Sequence, residues 1–226
     1  MMNTPKRIDT PLLTVAQIRQ LEQALFQTQD SYAVMQAAAQ GVLEVILADF
    51  PAPLAQQTVH VVLGAGNNAG DGLVVATLLK QRGFNVCAYT VFDSQFHGDA
   101  GKAFVFARAE QLNIQPFTTF TCQANDIIIE AIFGIGLDRP ATGLAKTAIE
   151  HINACKAGQS SVRVYAVDIP AGIFADTGSA PGSAVYADTT VTFIGDKIGL
   201  HTADGKGCAG KVIVCDLGAK TIPPNV

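Results

Sequence analysis

Six apolar runs rich in Val and Ile recur along the chain, with helical patterns between most of them. This alternation limits the fold more than any other feature. TVHVVLGAG, FNVCAYTVF, NDIIIEAIFG, VRVYAVDIPAG, TTVTFIG and KVIVCDLG read as strands. DGLVVATLLKQRG, GDAGKAFVFARAEQLN and LAKTAIEHINACKAG read as helices between the first four strands, and the last two strands lack a full helix between them. Strands that are apolar throughout, rather than at every second residue, are buried on both faces. The expectation is an α/β three-layer sandwich: a mostly parallel central sheet with helices on both faces.

An N-terminal helix pair precedes the first strand, at about 14–50. LTVAQIRQLEQALFQ opens on Thr14 as N-cap, with Gln17 three residues on as its capping-box partner. Val15, Ile18, Leu21 and Leu25 follow helical spacing. A second helix is expected from about Ser31 to Leu47, with Val34, Ala38, Val42, Val45 and Ile46 on one face, ended by Pro51 and Pro53. Residues 1–226 read as one domain, with the α/β core at about 57–218 in a Rossmann-like arrangement.

Composition narrows the function classes. Hydrophobic residues make up 49% and charged ones 15%, so the chain is globular. The net charge of -4 argues against nucleic acid as partner, although backbone amides can bind a small anion without a basic patch. The apolar stretches read as too short for a membrane span, and MMNTPKRIDTPLLT lacks the apolar run of a secretory leader. Cys87, Cys122, Cys155, Cys208 and Cys215 are odd in number and show no CxxC pair, which argues against a disulfide framework or a zinc site and points to the cytoplasm. His60, His97, His151 and His201 lack metal-ligand spacing and read as surface or satisfied structural residues.

In a parallel sheet, ligands bind beyond the carboxyl ends of the strands. GAGNNAGDG follows the first strand there, and its helix is expected to begin at about Leu73. Free amides at a helix N-terminus suit an anion. The fit to a GxGxxG dinucleotide fingerprint is poor, with Ala69 in the third glycine position and Asp93 as the acidic residue near the end of the second strand. Asn67, Asn68 and Asp71 share the turn. They can bond sugar hydroxyls or hold a cation; equally, the asparagines can supply left-handed turn residues and Asp71 a helix cap.

Two further strand ends repeat the pattern. EAIFGIGLDRPATG puts Glu130 inside an apolar run, so its carboxyl needs a cation, a donor or a raised pKa. AVDIPAGIFADTG ends a strand in Asp168, a position suited to acid–base chemistry or to stabilising the turn. Together the three strand ends imply one pocket. There is no GxSxG, GxxxxGK[ST] or HExxH, which removes support for serine acyl transfer, P-loop phosphoryl transfer and zinc hydrolysis.

GAGNNAGDG, EAIFGIGLDRPATG and VDIPAGIFADTG, in that order, resemble the NAD(P)H-hydrate epimerase family (the YjeF N-terminal domain), as do ADTTVTFIGDKIGL, GKVIVCDLG and LTVAQIRQLEQA with VMQAAAQGV. The resemblance runs from about Leu13 to Gly218. It implies an isomerase that interconverts the R and S forms of NAD(P)HX, the C6-hydrated nicotinamide nucleotides, with NAD(P)HX as substrate rather than cofactor. By resemblance, Asn67, Asn68, Ala69, Gly70 and Asp71 bind the diphosphate and sugar. Gly134, Ile135, Gly136, Leu137, Asp138, Arg139 and Pro140 form another wall, and Asp168 contacts the hydrated ring as acid/base.

The resemblance also implies a potassium ion on Asn68, Glu130 and Ala171, where the family usually has aspartate at the second position and serine at the third. It implies functional coupling to an NAD(P)H-hydrate dehydratase, which many bacterial relatives carry as a second domain; with the sequence stopping at TIPPNV, the readings are a stand-alone epimerase served by a separate dehydratase or a piece of a longer chain. It also implies a homodimer through the N-terminal helices. Ala69, Glu130 and Ala171 depart from the family pattern. They keep open a non-catalytic nucleotide-binding or protein-interaction module of the same fold; a hydride-transferring dehydrogenase is a further alternative.

Overall fold

The computed structural model describes residues 11–219 apart from residue 94. The readings made on the first ten residues and on the tail from 220 lie outside them. Among the described residues the sheet has seven strands in the order β3-β2-β1-β4-β5-β6-β7. The strands are β1 (Thr58–Leu63), β2 (Asn85–Thr90), β3 (Asn113–Pro116), β4 (Ile127–Ala131), β5 (Arg163–Val167), β6 (Thr189–Phe193) and β7 (Lys211–Cys215). Every neighbouring pair is parallel, so the order reverses at β1, between β2 and β4.

Strand β3 is absent from the sequence reading, which ran a helix through its first residue. Asn113–Pro116 is a four-residue edge strand with no apolar run, and α4 (Gly98–Ala109) stops before it. Between β6 and β7 lie only a 3-10 turn (Ile198–Leu200) and α6 (Gly205–Cys208), as the short gap predicts.

Helices α1 (Val15–Phe26), α2 (Ser31–Asp49), α3 (Asn67–Gln81) and α4 supply the core on one face; α5 (Gly143–Gly158) packs on the other. The capping box of α1 forms as read: Gln17 N–H donates to Thr14 Oγ1 at 3.3 Å and Thr14 N–H to Gln17 Oε1 at 2.9 Å. Helix α2 is capped by Asp30, whose carboxylate accepts from Ala33 N–H at 3.0 Å. By length and composition alone α2 is apolar enough to cross a membrane, which corrects the reading that no stretch is. Here its Met35, Ala38, Val42, Leu43 and Ile46 are buried in the core.

On the α5 face, Asp126 ties the entry of β4 to the start of β1. Its Oδ1 accepts from Thr58 N–H and its Oδ2 from Gln123 N–H, both at 2.7 Å. His60 Nε2 lies 3.3 Å from Oδ2, His60 Nδ1 lies 3.2 Å from the Tyr89 hydroxyl, and Phe120 stacks on the imidazole at 4.1 Å. Ligand atoms of His60, Cys122 and Asp126 lie within 4.8 Å of one another, a grouping that sequence spacing hides. Every polar atom named for His60 and Asp126 has a protein partner, so the pair acts as a structural clamp.

Burial pushes the His60 pKa down, against the upward pull of Asp126. Below about pH 6.5 the unfolded chain takes up a proton that folded His60 resists, so stability falls as the pH drops from that point towards the lower folded pKa. Thermal denaturation from pH 7 to 5 should show a falling Tm, with a shallower fall in His60→Asn. An unchanged slope in the variant would place the titrating group elsewhere.

Candidate functional site

The three strand ends meet at a cavity of about 720 Å³ where the strand order reverses. Its lining includes Asn67, Asn68 and Asp71 of α3, the whole Gly134–Pro140 segment after β4, and Asp168 after β5. Ala69, Gly70, Glu130 and Ala171 do not line it. Ala69 is fully buried in the core, and a Cβ at Gly70 would lie 2.7 Å from Met35 Cε.

The turn after β1 is far shorter than its composition suggests. Helix α3 begins at Asn67, not Leu73, with Gly66 as an N-cap that has no side-chain bond. Asn67 and Asn68 are therefore helical and not left-handed turn residues, and Asp71 is not a cap. The helix starts early because it can sit against the sheet. A Cβ at Gly72 would come within 2.6 Å of Ala131 Cβ and 2.8 Å of Leu63 Cδ2, whereas one at Gly66 meets nothing within 4 Å. The third-glycine task of close helix–sheet contact thus falls to Gly72. Ala69 N–H bonds back to the Gly66 carbonyl at 3.0 Å, so the Asn67 and Asn68 amides are the ones left to face an anion.

Burial then acts on the polar side chains that the helix carries inward. The Asn68 Oδ1 and Nδ2 atoms are both buried without a hydrogen-bond partner among the described residues. Such orphans cost free energy unless a ligand meets them. Burial drives the Asp71 carboxyl well above the usual carboxylate range, reinforced by the nearby charges of Asp168 and Glu22.

Asp168 sits at φ +69°, a conformation that aspartate tolerates better than most residues. Lys197, 1% exposed, places Nζ 2.8 Å from Asp168 Oδ1. The Thr192 hydroxyl donates to the same Oδ1 at 3.2 Å, and Lys197 also donates to the Phe193 carbonyl at 3.0 Å. These contacts occupy Oδ1. A Cβ built on Gly134 would lie 3.3 Å from Asp168 Oδ2 and 3.5 Å from Asn68 Cβ, so Gly134 is the spacer between the two side chains.

Glu130 lies behind the cavity wall, fully buried. Its Oε1 accepts from Ile132 N–H at 2.7 Å and its Oε2 from Ala171 N–H at 2.9 Å. Burial pushes its pKa up to about 8, with those donors pulling the other way. No ion pair reaches it among the described residues. The Ala171 carbonyl accepts from Val185 N–H at 2.9 Å.

Sequence reasoning missed Lys197, and also Arg19 and Glu22, which α1 brings to the lining. Lys197 lay inside the quoted stretch TFIGDKIGL, but its partner is 29 positions upstream and no local pattern joins them.

Residues 31–199 match the family described as YjeF-related protein N-terminus. The chain is 40% identical over 187 residues to an NAD(P)H-hydrate epimerase of Limosilactobacillus fermentum, covering 82% of this chain and 86% of that one. It is 36% identical over 211 residues to a bifunctional NAD(P)H-hydrate repair enzyme of Coxiella burnetii, covering 92% of this chain and 42% of that one. The crystal structure of yeast ynu0 superposes with a TM-score of 0.72 at 20% identity, covering 94% of this chain and 90% of that chain, and shares the fold.

Urea denaturation should separate the two glycines of the α3 entry. Gly72→Ala is expected to lose about 1–3 kcal/mol through overpacking, more than the ~1 kcal/mol of helix propensity it gains. Gly66→Ala should cost under about 1 kcal/mol. Equal effects would refute the close-contact account.

Proposed function

The chain belongs to the family of the YjeF-related protein N-terminus, and on that premise we propose that it is an NAD(P)H-hydrate epimerase, an isomerase interconverting R- and S-NAD(P)HX. The observation that carries this reading is the convergence of Asp168, the Asn68 side chain and the unbonded Asn67 and Asn68 amides of α3 on one cavity. The diphosphate lies against the α3 N-terminus, where amides and the helix dipole favour negative charge. The Gly134–Pro140 segment walls the hydrated ring, which leaves its C6 hydroxyl to Asp168.

Both chemical routes, loss and return of water or ring opening and reclosure, require one proton to move at that hydroxyl. The contacts of Lys197 and Thr192 hold Asp168 by Oδ1 and leave Oδ2 for the proton transfer. The ring nitrogen supplies electrons for C–O cleavage, so the protein contributes position and one proton. The product S epimer is the form a dehydratase consumes.

Asn68 and Glu130 fit the potassium ion that the family resemblance implies. Asn68 offers an orphaned, buried amide oxygen, and Glu130 a buried carboxyl without a cationic partner among the described residues; both are the hard oxygens such a cation prefers. Ala171 brings only a methyl side chain, so its contribution is limited to its backbone carbonyl, whose second lone pair is left beyond the bond from Val185 N–H. When bound, the ion would supply countercharge beside the anionic substrate.

Two tests follow. Purified protein given R-NADHX should form the S epimer, followed by chromatography that resolves the two, and Asp168→Asn should lower kcat by about 10²–10⁴-fold. Full activity in a folded variant would remove Asp168 from the chemistry. Separately, potassium chloride should raise Tm over tetramethylammonium chloride at equal ionic strength, and Asn68→Ala should abolish the difference. The absence of a potassium effect in the native protein would exclude the ion.

A further inference from the structure

A second cavity, of about 450 Å³, opens beside the first at the carboxyl ends of β2 and β3. Phe92 lines both, so the two are adjacent. The second has three features the epimerase chemistry does not use. Its walls are aromatic: Phe92, Phe96 and Phe104 line it, and the last two rings stack at 5.4 Å. Asp93, three residues beyond the end of β2, lies on its rim, exposed and without a hydrogen bond or ion pair among the described residues. Arg108, exposed on the last turn of α4, faces the same space.

Building on the epimerase reading, we infer that this second cavity is a subsite for the adenosine half of the substrate, its base against the Phe92, Phe96 and Phe104 walls and its ribose hydroxyls at Asp93. The geometry follows from the sheet. With the diphosphate on the α3 N-terminus at the point of strand reversal, the two halves of a dinucleotide must diverge over opposite sides of β1. Asp168 and the Gly134–Pro140 segment stand on the β4 and β5 side, so the reacting ring lies there. The other half is left with β2, where a carboxylate past the strand end suits the hydroxyls of an adenine ribose. Aromatic faces accept a base by stacking. The Arg108 guanidinium adds a planar cation that can lie on the base. Asp93 also sets a preference: it accepts from a free 2′-hydroxyl and repels a 2′-phosphate, so NADHX is favoured over NADPHX.

The test compares three hydrates, those of NADH, NADPH and reduced nicotinamide mononucleotide, which lacks adenosine. Native protein is expected to favour NADHX over the mononucleotide hydrate at least tenfold in kcat/KM. Asp93→Ala and Arg108→Ala should each erase most of that advantage, and Asp93→Ala should shift the NADHX to NADPHX ratio towards NADPHX. Variants that keep the native ratios, or a native protein with no advantage for the dinucleotide, would overturn the subsite. If no hydrate is converted, the epimerase reading fails on its own, and calorimetry with 5′-AMP decides for the cavity. Binding weakened at least tenfold in both variants supports it; absent or unaltered binding overturns it.

Discussion

The close seating of α3 on the sheet governs the site. At Gly72 the helix carries no side chain, so it approaches Leu63 of β1 and Ala131 of β4 to a distance that no Cβ could share. That approach lets the helix begin at Asn67, directly at the strand end, and it takes Asn68 and Asp71 out of water. The orphaned Asn68 amide and the raised Asp71 pKa are consequences of that packing. A residue with a side chain at 72 would push the helix outward, and the same asparagine and aspartate would become ordinary hydrated groups.

A second constraint comes from the N-terminal segment. Leu13 N–H donates to the Asp196 carbonyl at 2.8 Å, and Ile198 N–H donates back to the Leu13 carbonyl at 3.4 Å, on either side of Lys197. Val15 N–H is held by the Asp176 carboxylate at 2.6 Å. The segment that leads into α1 therefore braces the loop that delivers Lys197 to Asp168. The same helix sets Arg19 and Glu22 on the cavity wall. A buried ammonium is costly unless paired, so the Asp168–Lys197 contact and the docking of the N-terminal helices support each other.

Legibility in the sequence followed the range of the interaction involved. The Thr14–Gln17 capping box is a contact between residues three apart, and it is plain from the letters. The parallel sheet was legible from runs such as IIIEA and VVL, because strands buried on both faces need apolar residues throughout. The start of α3 was not. Gly, Asn and Asp weigh towards loops by propensity, and only the space above Leu63 and Ala131 makes them helical here. Strand β3 failed for the opposite reason: an edge strand of four residues needs little apolar content and gave no pattern. Glu130 was legible as a buried carboxyl in need of partners. The identity of those partners, the N–H groups of Ile132 and Ala171, depended on two strand ends meeting.

Charge explains how a chain of net -4 can offer a site to an anionic dinucleotide. The cavity gathers Glu22, Asp71 and Asp168, which, fully ionised, would repel a diphosphate. Each is moderated differently. Burial holds the Asp71 carboxyl towards its neutral form. Asp168 shares its charge with Lys197 at 2.8 Å. Glu22 is shifted upward by burial and by Asp168, with Lys197 and Arg19 pulling it back. Arg19 and Arg139 also line the cavity, and with them the amide end of α3 faces the ligand, its partial positive charge worth most where water is excluded. On the proposed reading, this arrangement attracts the phosphates through the backbone and reserves the Lys197-paired carboxylate of Asp168 for the proton, so anion binding and acid–base chemistry share one small volume without opposing each other.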